Sequence, residues 1–74
     1  MKDGREFLDF AASVLGIPPE SATMDTAYGS IPEWDSVMHL RLVMELENRY
    51  GFETPLAEIA TTRTLGEFFA RIPL

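Results

Sequence analysis

The chain has 74 residues, enough for one small domain (1–74) near the lower size at which a single hydrophobic core sustains itself, and its 46% hydrophobic content favours folding over disorder. Its net charge is −6, and its six basic residues (Lys2, Arg5, Arg41, Arg49, Arg63 and Arg71) are dispersed, which argues against nucleic acid as a partner. The lack of cysteine and the single histidine exclude disulfides and a zinc site of the usual kind, and no apolar run approaches the ~20 residues of a membrane span.

The opening Met1-Lys2-Asp3-Gly4-Arg5-Glu6 is too charged to read as a signal peptide, so a cytoplasmic setting is expected; a monomer is expected too, and the start at Met1 points to a standalone protein, with a domain of a longer chain left open. Asp3 is placed to cap a first helix over about 3–15, with Glu6 three residues on as in a capping box. Phe7, Phe10, Ala11, Val14 and Leu15 give that helix one apolar face, Gly16 supplies its stop, and Pro18-Pro19 prevents continuation. From Gly16 to Trp34 no periodicity persists, and prolines, glycines and small polar residues predict a long loop with a short helical turn around Glu20–Met24. Met24, Tyr28, Ile31 and Trp34 are the apolar anchors expected to pin it.

Asp35 then stands as N-cap of a second helix, Ser36–Tyr50, ended by Gly51. Phe52 returns to the core, and Thr54-Pro55 reads as N-cap and N1 proline of a short helix to about Ala60, with Leu56, Ile59 and Ala60 on its apolar side. Thr64 and Glu67 match a capping box for a last helix whose buried stripe is Leu65, Phe68, Phe69 and Ile72, Gly66 weakening it slightly and Pro73 ending it. The expected fold is all-α: a small four-helix bundle of three main helices and one short one, with the long loop between helices 1 and 2.

The second helix carries two apolar stripes, not one. His39, Leu42, Val43, Leu46 and Tyr50 fall in one arc at 100° per residue; Val37, Leu40, Arg41, Met44 and Asn48 fall almost opposite. One stripe suffices to face a core, so the other is a candidate docking surface with Ser36 at its head. Catalysis fits poorly. A relay of Ser36, His39 and Asp35 puts the imidazole on the core-facing side of the helix and leaves Asp35 engaged with backbone N–H groups, and no G-x-S-x-G elbow is present. His39 reads as a core-edge histidine satisfied by a loop carbonyl.

Asp35-Ser36-Val37, Leu42-Val43-Met44-Glu45-Leu46-Glu47 and Tyr50-Gly51-Phe52, together with the long first loop, short third helix and last helix opening at Thr64, resemble the acyl carrier protein family over nearly the whole chain. The resemblance implies 4′-phosphopantetheine on Ser36, attached from coenzyme A by a phosphopantetheinyl transferase. Acyl, aminoacyl or polyketide cargo would then ride as a thioester on the arm's thiol and be served by ligase, synthase or transferase enzymes. Asp35 corresponds to the motif aspartate that helps the transferase's metal or basic groups engage, and Val37, Leu40, Arg41, Met44, Glu45 and Asn48 correspond to the partner-recognition helix, with Glu45 and Glu47 as salt-bridge donors to basic partners. Val37 replaces the motif's leucine, Trp34 stands where many fatty-acid carriers have glycine, and the second helix is nearly neutral, Arg41 and Arg49 balancing Glu45 and Glu47. A dedicated carrier of a specialised pathway fits these departures better than a housekeeping fatty-acid carrier. The alternative is a helical adaptor that docks through Val37, Leu40 and Met44, with Ser36 merely at a helix start.

Overall fold

The computed structural model describes residues 3–73; Met1, Lys2 and Leu74, and with them the Lys2 charge and the leader reading, lie outside the described residues. Four helices follow in order: α1 (Gly4–Leu15), α2 (Ser36–Tyr50), α3 (Leu56–Ile59) and α4 (Leu65–Arg71), with a 3-10 turn at Pro19–Ser21. The all-α expectation and the long α1–α2 connection hold. Asp3 caps α1 by accepting from the Arg5 and Glu6 backbone N–H groups, while the Glu6 carboxylate lies 3.7 Å from Arg49 on α2. Gly16 and Gly51 close α1 and α2 in the left-handed conformation (φ 77° and 69°), where a Cβ would be strained.

Two local boundaries differ from the sequence reading. The helical turn lies at Pro19–Ser21 rather than around Glu20–Met24, because Ser21 and Ala22 donate back to the Pro18 and Pro19 carbonyls. Thr54 does not cap α3; Pro55 is the N-cap residue, one position later than expected. The Thr54 N–H is taken by Glu47 Oε2 at 2.6 Å, and Thr54 Oγ1 is buried with no hydrogen-bond partner among the described residues. Leu56 also departs from expectation: it is 82% exposed rather than part of a core-facing side. Three apolar residues in a four-residue helix cannot define a face by periodicity.

The core is built from Phe7, Ala11, Ala12 and Leu15 of α1, Leu42, Val43 and Leu46 of α2, and Leu65, Phe68 and Ile72 around α4. Phe7 packs against Phe69 of α4 with ring centroids 5.1 Å apart, and Arg49, in the last turn of α2, covers Phe10 at 4.6 Å, so α1 is held against both α4 and the C-terminal part of α2. Trp34, from the end of the long loop, is the largest fully buried side chain. Its indole Nε1–H donates to His39 Nδ1 at 2.9 Å, and His39 Nε2 lies 2.8 Å from the Ile59 carbonyl. An indole N–H can only donate, so Nδ1 is the acceptor, and the remaining ring hydrogen sits on Nε2 facing Ile59. One imidazole therefore bonds the loop to α2 and α2 to α3.

The same loop is also stitched to the α3–α4 link. Tyr28 N–H donates to Arg63 O (2.7 Å), Leu65 N–H to Thr26 O (3.0 Å) and Gly66 N–H to Met24 O (2.8 Å), around an isolated antiparallel bridge between Ala27 and Thr64. These bonds dispose of backbone groups that a buried loop would otherwise leave unpaired. They also explain Gly66, which the sequence reading treats as a mild defect. A Cβ there would come within 2.9 Å of Met24 O, so glycine is required by the close approach of the loop. At the other end, Arg71 pairs with Glu58 and donates from Nε to Thr62 Oγ1 at 2.9 Å, tying α4 back to α3.

Two stability predictions follow from these contacts. Trp34→Phe leaves a buried imidazole nitrogen without its donor, and urea denaturation should show a loss of about 1–3 kcal/mol. Gly66→Ala would raise stability by up to about 1 kcal/mol if helix propensity alone mattered. The clash with Met24 O reverses that sign, so the variant should unfold at lower temperature and lower urea than the parent.

Candidate functional site

Asp35 is extended (φ −98°, ψ −173°) and its Oδ1 accepts from the Met38 N–H at 2.8 Å, so it caps α2 as its position in the sequence demands. Ser36 is the first residue of the helix and is exposed. At this end the leading N–H groups and the helix dipole favour an anion, by ~0.3–1 kcal/mol for an exposed group. Asp35 answers one of those N–H groups with its own carboxylate and leaves the serine side chain outside the cap.

Beside Ser36 lies an open groove of about 400 Å³, between the first turns of α2, the α3 segment and the long loop. Its walls are Leu40 and His39 from α2, Leu56, Ile59 and Ala60 from α3, and Tyr28 and Arg63. Among the described residues no carboxylate lines it. Arg63 lies with its guanidinium carbon 4.8 Å from the centre of the Tyr28 ring, and the Tyr28 ring stands 4.8 Å from His39. His39 in turn stacks on Trp34. The groove thus rests on a ladder of rings running from the surface into the core.

This arrangement rules out the relay considered in the sequence. Both His39 nitrogens are engaged, one by Trp34 and one with the Ile59 carbonyl, and Asp35 is bonded to backbone. Neither can activate or orient Ser36 as a nucleophile. A backbone carbonyl satisfies His39 as expected, but it is that of Ile59, the last residue of α3, rather than one from a loop; the Trp34 bond is additional.

The outward stripe of α2 is exposed as its spacing implies: Val37 by 76%, Leu40 by 53% and Met44 by 66%. Arg41 and Asn48 are exposed beside it, and Arg41 faces Glu45 at 3.9 Å one turn on. Such a loose surface pair contributes ~0–1 kcal/mol. Two other charges of α2 turn out to be internal. Glu47 binds the Thr54 N–H rather than standing ready for a partner, and Arg49 reaches Glu6 and Phe10 on α1. The outward face therefore presents Arg41 and Glu45 rather than four balanced charges.

Sequence reasoning missed Tyr28, Leu56, Ile59 and Arg63 as neighbours of Ser36. The sequence places Tyr28 among the loop anchors, Leu56 and Ile59, with Ala60, on the apolar side of a short helix, and Arg63 among the dispersed charges. Nothing local signals their meeting, because the Ala27–Thr64 bridge that joins the two segments spans 37 positions.

The family model described as "Phosphopantetheine attachment site" matches residues 5–72, which is nearly the whole chain. An acyl carrier protein of Rhodococcus erythropolis (strain PR4 / NBRC 100887) is 30% identical over 59 residues, covering 80% of this chain and 65% of that relative's length. The chain belongs to the phosphopantetheine attachment family, that of the acyl carrier proteins, whose prosthetic group is 4′-phosphopantetheine, and it spans just under two thirds of the length of the relative it matches. Among the described residues no helix is long and apolar enough to cross a membrane, and no cluster of His, Asp and Glu is poised to hold a metal.

The cap carries a prediction of its own. Asp35→Ala should lower stability by about 0.5–2 kcal/mol, whereas Asp35→Asn, which keeps an acceptor at the N-cap, should stay within a few tenths, as read by thermal unfolding.

Proposed function

We propose that Ser36 carries the 4′-phosphopantetheine arm, that residues 1–74 act as one carrier domain, and that the chain delivers acyl, aminoacyl or polyketide intermediates in a dedicated pathway. The observation that carries this reading is an exposed serine at the head of α2, opening onto a groove without carboxylates. The residues fit the group. A phosphodiester on Ser36 would sit in the favourable field of the helix N-terminus, and a groove of about 400 Å³ has room for a flexible, largely uncharged arm. The arm supplies a terminal thiol, which a chain without cysteine needs in order to hold cargo as a thioester.

Ser36 provides the hydroxyl oxygen that becomes part of the phosphodiester, with coenzyme A as donor and a phosphopantetheinyl transferase as catalyst. Asp35 presents a carboxylate next to that oxygen, where it suits the metal or basic groups of the transferase. Because the Asp35 carboxylate also caps α2, its charge and its structural role are separable by the Asn substitution described above. The exposed Val37, Leu40 and Met44, flanked by Arg41, Glu45 and Asn48, form the face offered to the transferase and to loading enzymes. A second hollow, of about 490 Å³, continues this face past Met44 and Glu45 to Glu53. Arg41 within the apolar row discourages partners with a purely basic surface, which favours enzymes dedicated to this carrier. Soluble delivery in the cytoplasm by a monomer completes the reading.

Intact mass spectrometry tests it. After incubation with coenzyme A, magnesium and a broad-specificity transferase, the wild type should gain one arm and Ser36→Ala none. A folded wild type that gains no mass with several transferases, or a Ser36→Ala chain that still gains it, overturns the assignment.

A further inference from the structure

Among the described residues, Arg5, Arg41, Arg49 and Arg71 each lie within 4.0 Å of a carboxylate: Asp9, Glu45, Glu6 and Glu58 respectively. Arg63 has no such partner among them, although the chain carries twelve acidic residues against six basic ones. It instead stands at the wall of the groove that opens beside Ser36, its guanidinium over the Tyr28 ring.

The placement of Arg63 is held from both sides. Its carbonyl accepts from the Tyr28 N–H at 2.7 Å, and its own N–H donates to Glu67 Oε1 at 2.6 Å. Glu67 is itself fixed by the capping box with Thr64 at the start of α4. Tyr28, in turn, packs on His39, one turn along α2 from Ser36. The Tyr28 ring occupies one face of the guanidinium, while the N–H donors of a guanidinium point outward in its plane and remain suited to an oxyanion. A held backbone and a stacked side chain reduce what must be ordered when such an anion arrives.

Among the described residues that line the groove, Arg63 is the one cation: His39 has both nitrogens engaged, the Tyr28 and Ser36 hydroxyls are neutral, and the remaining walls are aliphatic. We propose that Arg63 is the anion-holding residue of this groove, binding an anionic oxygen of the group carried on Ser36. Two oxyanions share that chemistry: the phosphodiester at the base of the arm and a carboxylate on the cargo. The inference rests on Ser36 as the attachment point. It makes Arg63 a residue that orients the arm or selects acidic cargo, without a part in any bond-making step.

The test is the 15N-edited side-chain Nε–H signal of Arg63, followed in the full chain without the arm, with the arm, and with the arm loaded with butyryl or succinyl groups. Intact mass confirms each species, and loss of arm addition in Ser36→Ala checks the attachment point separately. A shift of the Arg63 signal on adding the arm, accompanied by a 31P shift of the phosphodiester that differs between the wild type and Arg63→Gln, assigns the phosphate. A shift that appears only with the succinyl form and not with the butyryl form assigns the cargo carboxylate. An Arg63 signal identical in all four species, each verified by mass, overturns the proposal while leaving the attachment reading intact. Arg63 is exposed, so Arg63→Gln should fold, and circular dichroism checks that it does.

Discussion

The structure depends on one buried imidazole. His39 accepts from the Trp34 indole and faces the Ile59 carbonyl, so a single side chain joins the long loop, α2 and α3. Each of these groups, buried alone, would carry a desolvation penalty of about 1–3 kcal/mol; paired, they hold three segments in one register. α3 has only four residues and no side-chain cap, and it could not persist as an isolated helix. It is held by Ile59 against His39 and by the Glu58–Arg71 pair, with Arg71 also bonding Thr62. The groove beside Ser36 exists because α3 is held there.

The charges divide along the same line. Glu47, Arg49, Glu58 and Arg71 bind one segment of the chain to another, by hydrogen bond or ion pair. Arg41 and Glu45 face outward with the apolar row, and Arg63 faces the groove. A net charge of −6 is therefore a poor guide to the surface a partner meets. Ser36, the groove beside it and the outward apolar row of α2 are adjacent, yet they rest on different interactions: the Asp35 cap, the ring ladder and plain exposure.

The long loop before Ser36 is not slack. Trp34 is its buried anchor, and three backbone hydrogen bonds tie it to the start of α4. Ser36 consequently stands at the end of a well-held support.

The sequence by itself determined α1, α2 and α4 nearly to the residue, because caps, glycine stops and apolar spacing act over a few neighbouring positions. It also determined that α2 has a second apolar row with Ser36 at its head, since one helical period assigns each side chain to an arc. Only the tertiary structure decided that Thr54 is claimed by Glu47, that Leu56 faces outward, that Gly66 is required by Met24, and that Tyr28 and Arg63 stand beside Ser36. Each of those facts depends on a pair of segments whose approach is set by burying Trp34 and pairing the backbone between Ala27 and Thr64. Local pattern carries no information about such a meeting, because the free energy that favours it comes from surfaces that touch only once the chain has folded.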